Sequence, residues 1–132
     1  MKIYVAGALA DIEAVQQVQA RVVAAGHELT LDWTRGTDSA LKDYGSAPDI
    51  ASQVAHDDLH AVLTADALLV VATEQDGRGM FVELGAALAA ASLGRGMDHV
   101  VVIGSIHHDS VFYHHSAVTR VTDVDEWLTR MG

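Results

Sequence analysis

Apolar and polar positions alternate along the chain in blocks that predict strands and helices in turn. Continuous apolar runs closed by glycine or polar residues are typical of buried strands, and apolar residues three and four apart are typical of amphipathic helices. The predicted strands cover residues 2–6, 28–32, 67–72, 99–103 and 118–121. The predicted helices cover residues 10–25, 49–65, 80–93 and 124–130. Because the strands are apolar rather than half polar, we expect a parallel sheet with helices on both faces.

This order predicts one α/β domain over residues 1–132, with a doubly wound sheet of about five strands in three α/β/α layers. Ligands of such sheets bind beyond the carboxyl ends of the strands, where the strand order reverses. The loops at 7–10, 73–79 and 104–116 are therefore the predicted places for a site. Residues 33–48, with the only proline, form a further long polar loop, and long loops are often functional.

Composition and charge narrow the class of protein. The chain has 132 residues, with 8 Lys and Arg against 18 Asp and Glu, no cysteine and a net charge of −10. The lack of cysteine excludes disulfides, thiolate metal sites and a cysteine nucleophile. A negative field repels polyanions and the apolar runs are too short to cross a bilayer, so we expect neither a nucleic-acid nor a membrane partner. Since Asp11 comes too early for a signal peptide, we expect a cytoplasmic protein.

The common nucleotide and metal motifs do not occur in the sequence. A dinucleotide fingerprint would have to follow the first strand, where Gly7 stands alone, and neither a P-loop nor a serine-hydrolase elbow is present. Four of the eight histidines fall in the stretch 107–115 around Asp109, yet no H-x-H or H-E-x-x-H spacing occurs. This His107–His115 cluster fits a hydrogen-bonding loop better than a metal site, and we predict no metal.

Carboxylates at two positions along the chain are candidate catalytic or binding residues. Glu83 follows Gly77 and Gly79 in an otherwise apolar helix, where a lone charge is costly unless it has a purpose. The alternative is that it complements the helix dipole on a surface turn. Asp57 and Asp58 lie on the preceding helix and diverge by about 100°, so only one is expected to face a cleft. A solvated acidic face is the alternative for this pair.

Aromatic and basic side chains add further candidates. A tyrosine in a buried strand, such as Tyr4, is ordinarily a core residue, although its hydroxyl could orient a carboxylate. Trp33 follows Asp32 at the end of the second strand and could stack on a nucleobase or pack in the core or a lid. Arg78 could pair with a phosphate, although Asp76 opposes it.

Three segments resemble the nucleoside 2-deoxyribosyltransferase family, whose superfamily includes deoxynucleoside 5′-monophosphate N-glycosidases and CMP hydrolases. They read K-I-Y-V-A-G, then D-D-L-x-A-V-x-x-A-D-A-L-L-V-V, then G-R-G-x-x-V-E-L-G-A-A-L-A. The resemblance covers roughly residues 2–103 and implies a flavodoxin-like, Rossmann-like parallel sheet. It also implies that Glu83 is the nucleophile, that Asp58 binds the substrate and protonates the leaving base, and that Tyr4 hydrogen-bonds the nucleophilic carboxylate.

The implied reaction cleaves the N-glycosidic bond of a (deoxy)nucleoside through a covalent glycosyl intermediate on Glu83 and transfers 2-deoxyribose to an acceptor base. Hydrolysis of a nucleoside 5′-monophosphate to free base needs the same three residues and is the main alternative. Two further alternatives are a non-catalytic nucleotide sensor and an enzyme that acts on NAD-like dinucleotides. The resemblance implies no cofactor, a small nucleoside or nucleotide as partner, and a homodimer or larger homo-oligomer.

The predicted substrate-binding residues lie in the loops and segments just described. Ser110 and Tyr113 are included because the related N-glycosidases hold the 5′-phosphate with serines, partly from a neighbouring subunit, and residues 109–116 correspond to that later region. The full predicted set is Gly7, Asp32, Trp33, Asp57, Gly77, Arg78, Gly79, Ser110 and Tyr113.

Overall fold

A five-stranded parallel sheet forms the centre of the computed structural model, which describes residues 1–36 and 43–132. The strands are β1 (Lys2–Ala6), β2 (Glu28–Leu29), β3 (Ala67–Val71), β4 (His99–Ile103) and β5 (Val118–Val121). The helices are α1 (Ile12–Ala24), α2 (Pro48–Leu63), α3 (Arg78–Ser92) and α4 (Val124–Met131). The predicted α/β class and parallel sheet are confirmed.

The strand order is β2-β1-β3-β4-β5, which is the flavodoxin-like order. From β1 the chain runs outward to β2 and then crosses back to β3, so the order reverses between β1 and β3. Helix α1 packs against α4 and helix α2 packs against α3, which gives the three predicted layers. An ion pair of 2.6 Å between Arg21 and Asp125 joins the first pair of helices.

Burial follows the apolar runs of the sequence. All five residues of β3 are buried, and so are the residues of β1 after Lys2. Each central strand has helices on both faces, so it has no polar face to present to water. None of the helices in the described ranges has the length and apolar character that a membrane span needs.

The second strand is shorter than the predicted 28–32. Thr30 still donates its amide to the Ile3 carbonyl at 3.0 Å, but the chain then leaves the sheet and forms a 3₁₀ turn at Trp33–Arg35. The Asp32 carboxylate accepts the Thr34 amide and caps this turn, so a local side-chain bond replaces the strand ladder.

Two other boundaries differ from the prediction. Helix α3 begins at Arg78 rather than near residue 80, which places Glu83 in its second turn. Helix α2 begins at Pro48, whose fixed φ suits the first helical position. Of the predicted polar loop 33–48, residues 37–42 lie outside the described residues, and Tyr44–Ser46 forms a second 3₁₀ turn.

Candidate active site

A cavity of about 610 Å³ opens beyond the carboxyl ends of β1 and β3, at the point where the strand order reverses. Its walls come from the loop after β1 at residues 7–10, the glycine loop after β3 at residues 76–79, and helix α2. Cavities of this size enclose ordinary small-molecule ligands. The fold therefore provides a ligand-sized cavity where the sheet topology predicts one.

A buried pair of polar side chains, Tyr4 and Glu83, lies at the wall of this cavity. Tyr4 stands in the middle of β1 with no exposed surface, and its hydroxyl donates to the Oε2 atom of Glu83. Glu83 is 9% exposed and lines the cavity from α3. The dipole alternative assumed a surface turn, whereas this carboxylate is buried in the second helical turn and oriented by a tyrosine from the sheet.

Helix α2 supplies the second carboxylate of the lining. Asp58 is partly buried and faces the cavity beside Leu59. Its neighbour Asp57 is exposed and accepts a 2.8 Å hydrogen bond from Gln53 Nε2 one turn earlier on the same helix. The angular step of the helix thus turns one aspartate to the cavity and the other to solvent.

The two loops at the switch point, the one after β1 and the glycine loop after β3, approach each other closely. A Cβ added at Gly77 would lie 3.2 Å from the Cα of Ala8, a residue of the loop after β1. A Cβ at Gly79 would meet no atom within 4 Å, so this position opens toward the cavity. Gly77 is therefore required for the close approach of the two loops, and Gly79 leaves space for a ligand.

The charges of the lining are mainly negative. Within the described residues it contains three carboxylates, those of Asp58, Asp76 and Glu83, and one guanidinium, that of Arg78. The rest of the lining is chiefly apolar. These apolar residues are Ala8, Leu9, Ala10, Trp33, Tyr44, Ala51, Val54, Ala55, Leu59, Met80 and Val82. The site combines a small number of polar groups with walls that displace water, as ligand cavities commonly do.

Trp33 forms part of the wall and is held in place by the sheet. Its indole N–H donates to the Val5 carbonyl at 2.7 Å, and the residue is only 6% exposed. Trp33 therefore packs against the sheet and also lines the cavity, and its stacking on a nucleobase stays a prediction.

Asp32 does not line the cavity. Its Oδ1 accepts from the Thr34 amide at 3.1 Å, the Thr34 hydroxyl and Gln19 Nε2 at 3.2 Å, and its Oδ2 accepts from Arg35 Nε at 3.0 Å. Burial raises the pKa of Asp32, but the Thr34 and Gln19 hydrogen bonds and the Arg35 charge together outweigh it and lower the pKa below its ordinary range. The structure therefore uses this carboxylate to hold the turn that carries Trp33.

Ser110 and Tyr113 lie on the far side of the glycine loop. Tyr113 is buried and its ring packs against Phe81, with the ring centroids 5.4 Å apart. Burial, together with the charges of Asp76 and Asp109, raises the pKa of Tyr113. Ser110 Oγ accepts the Phe112 amide at 3.2 Å and caps the 3₁₀ turn Val111–His114.

The structure thus brings most of the predicted site residues together and leaves four apart. The residues that line the cavity directly are Gly7, Trp33, Asp58, Gly77, Arg78, Gly79 and Glu83. Tyr4 is connected to the cavity through its hydrogen bond to Glu83. Those outside its lining are Asp32, Asp57, Ser110 and Tyr113. The functional roles assigned to all twelve remain predictions.

Helix α2 contributes an apolar wall to the cavity that is absent from the predicted site residues. Ala51, Val54, Ala55 and Leu59 share one helix face with Asp58, and their spacing of three and four residues is the signal that could have found them. Tyr44, which is 51% exposed at the cavity rim, was also left out of the predicted set.

Two histidines of the loop that follows β4 make hydrogen bonds within the protein. His108 Nε2 lies 2.6 Å from the Glu74 carbonyl, and His114 Nε2 lies 2.9 Å from Asp109 Oδ1. Across residues 1–36 and 43–132, no group of three or more histidine, aspartate or glutamate side chains is arranged to hold a metal ion.

Fold and site together define a flavodoxin-like α/β protein with a carboxylate-lined cavity at the switch point of its sheet. No protein-family model matches the chain, and no curated protein matches it significantly in sequence.

Two solved structures share the fold over nearly the whole chain. One is a 2-deoxyribosyltransferase from the psychrotolerant bacterium Bacillus psychrosaccharolyticus, with a TM-score of 0.65 and 20% sequence identity, covering 97% of this chain and 90% of that one. The other is the CMP N-glycosidase BcmB from Clostridium botulinum, with a TM-score of 0.56 and 13% identity, covering 99% of this chain and 98% of that one. At such identities the likeness establishes the fold.

Proposed function

We propose that this chain is an enzyme of the nucleoside 2-deoxyribosyltransferase family that cleaves the N-glycosidic bond of a (deoxy)nucleoside and transfers the 2-deoxyribose to an acceptor base. The observation that carries the proposal is the buried Tyr4–Glu83 pair at the cavity wall, with Asp58 in the same lining. The two solved structures of the same fold support it, since one is a 2-deoxyribosyltransferase and the other a CMP N-glycosidase.

In the proposed first step, a carboxylate oxygen of Glu83 forms a bond to the sugar C1′ while the bond from C1′ to the base nitrogen breaks. The electron pair of the broken bond leaves with the base, which takes a proton from the carboxylic acid of Asp58. Because the transition state has oxocarbenium character, the negative charge of Glu83 stabilises it before the covalent bond is complete.

In the second step, the nitrogen of an acceptor base attacks C1′ and releases the Glu83 carboxylate, while the acceptor gives its proton back to Asp58. Tyr4 donates to Oε2 of Glu83 and so orients the carboxylate toward the sugar in this proposal. A hydroxyl fixed in the sheet also limits rotation of the carboxylate, which keeps the nucleophile in line with its target.

The apolar wall favours transfer over hydrolysis. Residues such as Val54, Leu59 and Val82 give water no hydrogen-bonding partner beside the intermediate, whereas a flat base can pack against them. Even with Asp58 protonated, the carboxylates of Asp76 and Glu83 outnumber the one guanidinium of the described lining, which disfavours an anionic substrate and supports a neutral nucleoside.

Hydrolysis of a nucleoside 5′-monophosphate is the second candidate, and Arg78 is the observation that favours it. Arg78 lines the cavity at the first position of α3, a 15-residue helix whose amino-terminal N–H groups and dipole attract anions. Asp76, two residues earlier in the same lining, opposes this attraction.

We further propose that the protein is a homodimer or larger homo-oligomer formed through α3. Val82, Gly85, Ala89 and Leu93 recur at helical spacing and are exposed, with Val82 61% and Leu93 67% exposed. A continuous apolar helix face of this kind is typical of a contact with another surface. Because Val82 also lines the cavity, a partner on this face would lie next to its mouth.

The decisive experiment is chromatography of a panel of deoxynucleosides, ribonucleosides, their 5′-monophosphates and NAD, each with and without a free acceptor base. We expect a new nucleoside only when the acceptor is present. Glu83→Gln should lower the rate by about 10³-fold or more, and Tyr4→Phe by about 10²-fold. The matched control is Glu13→Gln, which changes an exposed glutamate on α1 and should keep wild-type activity.

Each other outcome of the panel identifies a different function. Free base from 5′-monophosphates without an acceptor would establish the N-glycosidase, and nicotinamide from NAD would establish a dinucleotide-cleaving enzyme. Nucleotide binding without turnover in both wild type and Glu83→Gln would contradict catalysis and favour a sensor. Mass spectrometry of denatured enzyme after mixing with substrate alone should show one added deoxyribosyl group in wild type and none in Glu83→Gln.

A further inference from the structure

The side chain of Thr73 ties the glycine loop to the 3₁₀ turn that follows β1. Its hydroxyl donates to Oδ2 of Asp11 at 2.5 Å and accepts the amide of Gln75 at 3.0 Å. Thr73 follows β3 by two residues, so this hydroxyl shapes the start of the loop and joins it to another part of the chain.

Asp11 lies on the other side of the switch point. It ends the 3₁₀ turn Leu9–Asp11, and its own amide donates to the Ala8 carbonyl at 2.9 Å. The Thr73–Asp11 bond therefore connects the two loops that line the cavity, beside the close approach of Gly77 to Ala8. A hydrogen bond and a close steric contact thus join these loops.

The opposite side of the glycine loop is held by the histidine-rich loop. Because a carbonyl oxygen only accepts, His108 Nε2 donates to the Glu74 carbonyl across 2.6 Å. Glu74 and Thr73 are neighbours, so the loop is held from both sides just before Asp76 and Gly77 reach the cavity.

Helix α3 begins at Arg78, directly after this loop, and carries Glu83 to its bond with Tyr4 on β1. We propose that Thr73 and Asp11 are positioning residues, whose hydrogen bond holds the glycine loop and α3 so that Glu83 can reach the sugar. This inference rests on the proposed function. A displacement of the nucleophile by about 1 Å is enough to cost a large factor in rate, even when substrate still binds.

The test compares Thr73→Val, Thr73→Ser and Asp11→Ala in the transfer assay. We expect kcat to fall about tenfold in Thr73→Val and Asp11→Ala with little change in KM, because the lost bond places the nucleophile rather than the substrate. Thr73→Ser keeps the hydroxyl and should restore kcat. Thr119→Val on β5 is the matched control, since it makes the same change on an exposed strand position outside the cavity lining.

The double variant separates a shared bond from two independent effects. If Thr73 and Asp11 act through one hydrogen bond, Thr73→Val combined with Asp11→Ala should lose no more kcat than either single change. Multiplied losses would overturn the proposal.

Hydrogen exchange gives a readout that does not depend on activity. In Thr73→Val the Gln75 amide loses its acceptor, so exchange over residues 73–80 should rise while β4 and β5 stay as in wild type. Unchanged exchange at Gln75, or unchanged kcat in an otherwise active Thr73→Val enzyme, would overturn the positioning role. A wild-type protein that shows no activity on any substrate of the panel would instead overturn the proposed function.

Discussion

At the scale of single residues, Asp32 shows how one carboxylate can stabilise a turn beside a ligand-sized cavity. It accepts from Thr34, Gln19 and Arg35, and in doing so it holds the turn that places Trp33 against the cavity. The sequence alone suggested a substrate-binding role because the residue ends a strand next to an aromatic. The structure places it outside the cavity lining, bonded to Gln19 and Thr34, and the substrate-binding role stays a prediction.

Asp32 should make the stability of the protein sensitive to acid. The pKa of Asp32 in the folded protein lies below the 3.8 of a free side chain, so the unfolded chain takes up the proton first as the pH falls. The stabilisation that the ionised Asp32 carboxylate contributes is fully present above pH 3.8. It is lost as the pH falls through the lower pKa of the folded protein. Asp32→Asn should therefore be less stable than wild type near neutral pH, by about 1 kcal/mol.

Melting temperatures of the two proteins across the acid range test this expectation. The difference between wild type and Asp32→Asn should shrink once the pH is below 3.8, where wild-type Asp32 also becomes neutral. A difference that stays constant down to the lowest pH would contradict the proposed source of the stability.

At the scale of elements, the junction between β1 and α1 depends on a residue without a side chain. A Cβ added at Gly7 would lie 2.4 Å from Cγ2 of Val15, and Val15 has no exposed surface. Real Cβ atoms do not approach so closely, so the Val15 side chain or the helix that carries it would have to move. The single glycine after β1 is therefore a packing requirement, although it also borders the cavity.

Gly7→Ala should destabilise the fold by about 1–3 kcal/mol, the usual cost of overpacking a core. Gly79→Ala is the matched change, because its added methyl would meet no atom within 4 Å and alanine is the better helix former. Its stability should be equal to wild type or higher by up to about 1 kcal/mol. Urea denaturation measures both, and equal stability of the two variants would show that Val15 can move at no cost.

At the scale of the whole molecule, the exposed apolar face of α3 predicts self-association. Leu93→Glu puts a charge on this face, and a charge buried at an interface without a partner is costly. We expect light scattering to give a multiple of the 14.0 kDa chain mass for wild type and a shift toward the monomer for Leu93→Glu. Val23→Glu, at a 51% exposed position on α1, should leave the assembly unchanged.

Salt provides a second check of the same prediction. Two chains of net charge −10 repel each other, and added salt screens that repulsion, so the assembly should strengthen with ionic strength. A wild-type protein that stays monomeric at all concentrations and salt levels would rule out the α3 interface.

The sequence by itself determined the succession of strands and helices and the parallel sheet. Continuous apolar runs such as those of β3 and β4, alternating with amphipathic helices, are typical of a parallel sheet between two layers of helices, so the pattern predicts the layers. The resemblance in three separate segments pointed to Tyr4, Asp58 and Glu83, and the fold places all three at one cavity. These predictions depend on features that lie close together along the chain.

Only the tertiary structure decided which polar side chains already have hydrogen-bond partners within the protein. Thr73 meets Asp11 across 62 residues and His108 meets Glu74 across 34, and no local pattern signals either contact. For the same reason Tyr113 packs on Phe81 behind the glycine loop instead of lining the cavity. Local periodicity fixes which elements form, whereas hydrogen bonds between loops that are distant in sequence determine the shape of the site.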